Sequence, residues 1–172
     1  LIVSGKLDSY LVQPKNVLLG VLTSATAVSA IGDFLYGVVL LLFCGLAVDG
    51  FLLALLLIVT GTVILTAFAL LFGSLAFWFV RVEMLGNQMV MGLVSFATYP
   101  DGIFQVISRF LLYFIIPVGM AVYHPVHILA EFDAGMLFTV LGYACLLSAA
   151  AVAVFYRGLR RYSSSSLMEA RM

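Results

Sequence analysis

His124, His127 and Glu131 stand at i, i+3 and i+7, so a helix through all three would carry two imidazoles and a carboxylate on one face. These are zinc-ligand types, and three protein ligands with one open position make a catalytic zinc site that activates water. Such a site also needs partners that orient the imidazoles, and the spacing supplies only the ligands. The competing reading is that Pro125 sits in the first turn of a short helix whose histidines are simply amphipathic groups at an interface. Asp33 is the sharpest isolated charge in an apolar stretch. A charge inside a membrane helix costs roughly 2.5–3.5 kcal/mol on insertion scales, so Asp33 is either a proton- or substrate-path residue or a cap where a broken helix restarts. Gly32 directly before it favours the cap. Arg109 shares the ambiguity but lies within reach of the cytoplasmic surface and can snorkel there. Ser29, Thr60, Thr62, Thr66 and Ser74 read as helix-packing hydroxyls. An intramembrane serine protease would need a histidine within the spans, and both histidines flank a loop. The only Gly-Lys, at Gly5-Lys6, is followed by Leu7, so no phosphate-cradling Gly-x-x-x-x-Gly-Lys-Ser/Thr loop is present.

The elements that position these groups are apolar to an unusual degree. Of 172 residues, 65% are hydrophobic, 13% aromatic and 9% charged, against about 25% charged in an ordinary soluble domain. No Asp, Glu, Lys or Arg occurs in residues 34–48, 50–80 or 134–156. Runs of about 20 uncharged residues read as membrane-spanning helices. The eight basic and eight acidic residues cancel, leaving no basic face for nucleic acid, which is excluded as a partner. Cys44 and Cys145 lie in separate apolar runs and read as small buried hydrophobes. The chain opens without an initiator Met and without the pattern of a signal peptide, and it reads as the later part of a longer protein.

The expected fold is an all-α integral membrane domain of about four spans. Residues 1–16 form a cytoplasmic segment with a short amphipathic helix stopped before Pro14. Residues 17–156 form the membrane domain, with spans near 17–48, 51–80, 107–123 and 136–156. The first, interrupted by Gly32 and Asp33, is too long for one straight span and is expected to be broken or tilted, with its best membrane portion at 34–48. Asp49-Gly50 reads as a tight turn. Residues 84–99 read as an interfacial helix with Gln88, Gly92, Ser95 and Tyr99 on one face, and Tyr99-Pro100-Asp101-Gly102 as a turn. Pro117 is expected to kink the third span. Residues 124–132 are too short to span and suit a shallow or re-entrant turn. In the last span Cys145, Ala149 and Ala153, with Ala144 and Ser148 beside them, would let another helix approach closely. Residues 157–172 form a cytoplasmic tail. Lys6 and Lys15, Arg81, and Arg157 with Arg160 and Arg161 fall on one side of four spans, which places both ends in the cytoplasm.

The order of several phrases resembles the permease subunits of bacterial type-2 ATP-binding-cassette (ABC) transporters, the ABC-2 family transporter proteins. The phrases are Ser4-Gly-Lys-Leu-Asp-Ser-Tyr-Leu-Val-Gln-Pro14, Gly73-Ser-Leu-Ala-Phe-Trp-Phe79, Tyr99-Pro-Asp-Gly-Ile-Phe104, Arg109-Phe-Leu-Leu-Tyr-Phe-Ile-Ile-Pro-Val-Gly119 and Gly158-Leu-Arg-Arg-Tyr162. The resemblance implies a permease of six spans, of which this chain would hold the last four, in a bacterial inner membrane. It implies pairing with a second permease subunit, identical or different, and with ATP-binding subunits that carry the ATP and magnesium, leaving no cofactor in this chain. By position, Lys6, Leu7, Asp8, Tyr10, Leu11, Gln13 and Pro14 match the family's cytoplasmic coupling segment, and residues 124–132 its outward re-entrant region. Asp33, Arg109 and Pro117 are the pathway or gating candidates. The resemblance favours an exporter whose energy comes from ATP hydrolysis on the partner. The alternative is a membrane-embedded metal-dependent enzyme or assembly factor using His124, His127 and Glu131.

Overall fold

The computed structural model describes residues 7–24, 28–79, 82–99, 113 and 117–162, and no strand occurs among them. Lys6, Arg81, Arg109, the turn at Pro100-Asp101-Gly102 and most of the expected third span lie outside the described residues. The described residues form two compact units, one up to Leu52 and the other Leu53–Tyr162.

The first unit opens with α1 (Asp8–Leu11) and α2 (Val17–Leu22). The backbone of residues 12–15 bends between them, and Asn16 starts α2 by accepting the Leu18 N–H on Oδ1 at 3.0 Å, which satisfies one of the free donors of a helix start. Tyr10 lies across α2 at Gly20, where a Cβ would come within 2.9 Å of the ring. α3 (Val28–Phe43) follows, and nearly its whole described surface is exposed. The long apolar stretch is interrupted where α2 ends, at Thr23 and Ser24, whereas Gly32 and Asp33 lie inside α3. Thr23 and Ser24 end α2 by turning their hydroxyls back onto the carbonyls of Leu19 and Val21, competing with the ladder that Gly32 leaves intact. A second correction concerns Asp49-Gly50. The turn is made by residues 44–47, with Gly45 at φ +63°, and Asp49 and Gly50 already belong to the first turn of α4 (Val48–Ser74). Glycine takes that left-handed conformation without a Cβ clash, and Asp49 favours the positive end of the helix it begins.

In the second unit, α4 continues to Ser74 and passes through a 3-10 turn, Leu75–Phe77. The apolar rod Val48–Phe77 is 30 residues, and α7 (Ala134–Leu159) is 26. At about 1.5 Å per residue both exceed a ~30 Å hydrocarbon core, and they are the two described helices long and apolar enough to cross a membrane. Between them lie α5 (Val82–Ala97), a π-helical turn (Gly119–Tyr123) and α6 (His124–Ala130). α4 is apolar all round, yet its buried residues Leu57, Thr60, Gly61, Ile64, Ala67 and Phe68 recur at three and four, a single stripe. One cluster joins Leu57 and Ile64 of α4 to Ala121, Ile128 of α6, and Val140 and Ala144 of α7. Another joins Phe68, Leu93 of α5, Val118 and Tyr123.

Within this chain the packing line of α7 runs through Ala144 but not through Cys145, Ala149 and Ala153. Cys145, Ala149 and Ala153 are exposed, and the buried line is Val140, Ala144, Ala151, Phe155 and Gly158. The two lines lie about 150° apart around the helix, nearly opposite faces, and small residues occur on both. Residues 82–97 form α5, with Gln88 and Ser95 exposed, Gly92 half-buried and Tyr99 exposed just beyond its end, while Gly86 and Leu93 are buried on the opposite side.

Candidate functional site

The candidate coupling segment is built from two short helices that hold a bent connection. The Leu11 N–H donates to the Leu7 carbonyl at 3.2 Å, closing one helical turn, and Asp8 stands in that turn. Leu7 is fully buried and Tyr10 is half-buried over Gly20, so these two anchor the segment. The residues beyond them point outward: Leu11 is 42% and Val12 86% exposed, and Gln13, Pro14 and Lys15 are exposed as well. The structure therefore separates the matched residues into an inner pair and an outer ridge, and an apolar ridge ending in a proline is a surface another protein can bury. Periodicity could not make that division over a helix of four residues. The signal that reveals it is Gly20, ten residues away, whose missing side chain leaves room for the Tyr10 ring.

The two described pathway candidates belong to different units. Asp33 is exposed in the interior of α3, so it caps nothing. Pro117 is fully buried at the start of the turn that leads into the π-helix, and its carbonyl accepts the Ala121 N–H at 2.9 Å. In the π-turn the His124 N–H reaches Gly119 rather than the carbonyl four residues back. Pro125 follows at the start of α6 and has no N–H to give the Ala121 carbonyl. That carbonyl oxygen lies 2.7 Å from where a Cβ of Gly61 would be, so the backbones of α4 and the π-turn touch directly. Nothing in the residue types announced this contact; Gly61 and Pro125 are separated by sixty-four positions.

The three potential metal ligands do not assemble. His124 is half-buried with its ring 5.0 Å from that of Tyr113, His127 is exposed, and α6 ends at Ala130. Glu131 caps it with extended backbone (φ −137°, ψ 110°), so the helical spacing that would align the carboxylate with both imidazoles stops one residue short of it. Among the described residues no group of three His, Cys, Asp or Glu could hold a metal ion. The alcohol side chains are engaged within their own helices. Thr60, Thr62 and Ser74 donate to the carbonyls four residues back at 2.7, 2.8 and 2.6 Å, the usual use of such groups in an apolar helix.

Two further contacts join phrases that are distant in the chain. Phe77 lies against the Cα of Gly158, and its ring stands 5.9 Å from both Phe155 and Tyr162 and 6.3 Å from Trp78. The Tyr123 hydroxyl donates to the Phe96 carbonyl at 2.8 Å, an acceptor at the end of α5 that also takes the Tyr99 N–H at 3.2 Å. A comparison with protein-family models matches residues 1–166 to a family described as ABC-2 family transporter protein. No curated protein and no solved structure matches the chain.

Proposed function

The chain belongs to the ABC-2 family of transporter proteins, a membrane permease component of an ABC transporter, and from that membership we propose that it couples a translocation path, through residues 7–16, to ATP hydrolysis on a separate ATP-binding subunit. The observation that carries this reading is the exposed ridge Leu11-Val12-Gln13-Pro14 held on a buried anchor, Leu7, between two helices. ATP-driven closure of the partner subunits moves the permease only if the docked segment binds them differently in the two arrangements of the path. A buried anchor with an apolar outer face supports that reading, because force applied to the ridge would be carried into α2 through Tyr10 and Gly20.

In this reading the basic ends are cytoplasmic, the membrane is a bacterial inner membrane crossed about four times by this chain, a second permease subunit completes the path, and the direction is export. Asp33 and Pro117 are the described pathway or gating candidates. ATP and magnesium belong to the partner. Replacing Leu11 with Asp in the full transporter tests the coupling role. Expected are normal membrane insertion, reduced co-purification of the ATP-binding subunit, and ATP hydrolysis that no longer drives transport in vesicles. Leu7→Asp serves as the contrast: it buries a charge and collapses the anchor. Unchanged transport in Leu11→Asp would overturn the assignment.

A further inference from the structure

We propose that Arg157, Arg160 and Arg161 form a binding site for the phosphate of an anionic phospholipid headgroup, set at headgroup depth by the aromatic cluster around Phe77. The proposal rests on the membrane reading of α4 and α7 but not on the transport function. The ring of Phe77 against Gly158 puts the end of the apolar rod Val48–Phe77 level with the last turn of α7. Trp78 and Tyr162 flank Phe77, and Tyr156 stands 5.6 Å from Phe155, so the apolar surface of both helices ends in one group of amphipathic rings. Such rings mark the hydrocarbon–water boundary.

The arginines begin at that boundary. The Arg160 N–H donates to the Tyr156 carbonyl at 3.2 Å, and the Arg161 N–H to that of Gly158 at 2.9 Å, so the chain leaves α7 through one tighter turn that keeps winding in the same sense. At 3.6 residues per turn the three side chains fall within an arc of about 100°, opposite Phe155, which is buried toward α4. All three are exposed, and no ion pair ties them to a carboxylate among the described residues. They therefore face away from the helix pair at the depth where lipid phosphates lie. Guanidinium groups suit that ligand because their planar donors engage two phosphate oxygens at once. Arg157, in the last turn of α7, also offsets the negative end of that helix.

The test uses the full transporter in nanodiscs of phosphatidylglycerol mixed with phosphatidylcholine, counting retained lipids by native mass spectrometry. The wild type is expected to retain phosphatidylglycerol preferentially, and Arg160→Gln with Arg161→Gln to lower that preference about fivefold per arginine removed, at unchanged helical content. Arg160→Lys with Arg161→Lys, which preserves the charge that sets topology, is expected to recover part of it. Equal retention of the two lipids by the wild type overturns the proposal, and that measurement needs no variant. So does a thermal shift by inorganic phosphate in pure phosphatidylcholine as large as that given by phosphatidylglycerol, which would assign the arginines to a free anion.

Discussion

Single atoms decide where the helices of the second unit can meet. Gly61 is the clearest case: alanine is the better helix former by about 1 kcal/mol, so propensity alone favours Gly61→Ala. The Ala121 carbonyl, 2.7 Å from the new methyl, reverses that sign, because the obstacle is backbone and cannot rotate aside. Gly61→Ala is therefore expected to destabilise the protein by about 1–3 kcal/mol, seen as a lower midpoint in detergent-induced unfolding, whereas Gly73→Ala, which meets nothing within 4 Å, is expected to gain stability. A midpoint raised by both substitutions would remove the close contact from the account. Leu7 and Leu11 make the same point in the first unit. Both are leucines of one short segment, but only one has an accessible side chain, and no property of the residue type distinguishes them.

Among the elements, α3 and the π-turn depart furthest from what local rules lead one to expect. α3 holds a carboxylate in mid-helix with little around it, and its 16 residues cover about 24 Å, short of a ~30 Å core. Asp33 is costly there in a bilayer, by roughly 2.5–3.5 kcal/mol if it reaches the centre. Asp33→Leu is therefore expected to favour membrane insertion of α3, read by glycosylation mapping, while reducing transport by the complete transporter. Full transport in the better-inserted variant would strip Asp33 of any pathway role. The break between α2 and α3 was legible as a break but not at its position, since glycine was a weaker interruption than two hydroxyls bonded back to the chain. The π-turn was legible only through Pro117 and Pro125, which each remove a donor. That the Ala121 carbonyl, which has no N–H four residues ahead of it, packs on α4 depended on Gly61 of another helix.

For the whole molecule, the two long apolar helices and the family match make a membrane protein, and the placement of basic residues proposes its orientation. Cysteine labelling in intact cells tests that proposal. A cysteine at Glu131 is expected to react with a membrane-impermeant maleimide from outside, and one at Arg161 only after permeabilisation. Cys145, exposed along the side of α7 but within its apolar length, is expected to stay unreactive under both conditions. Labelling at Arg161 in intact cells would reverse the orientation or change the number of crossings. The amino-acid sequence by itself determined the helical membrane class, the apolar extents of α4 and α7, and the family, because uncharged length and phrase order are properties of the chain alone. Tertiary structure decided which stripe of each helix is buried, that Leu7 anchors while Leu11 is presented, that Glu131 leaves the face shared by the two histidines, and that Phe77 meets Gly158. The physical reason is that apolar helices in this chain carry suitable residues on every side, so hydropathy cannot choose between faces. The choice falls to close contacts, a carbonyl on a glycine or a ring on a glycine, made by residues far apart in the chain.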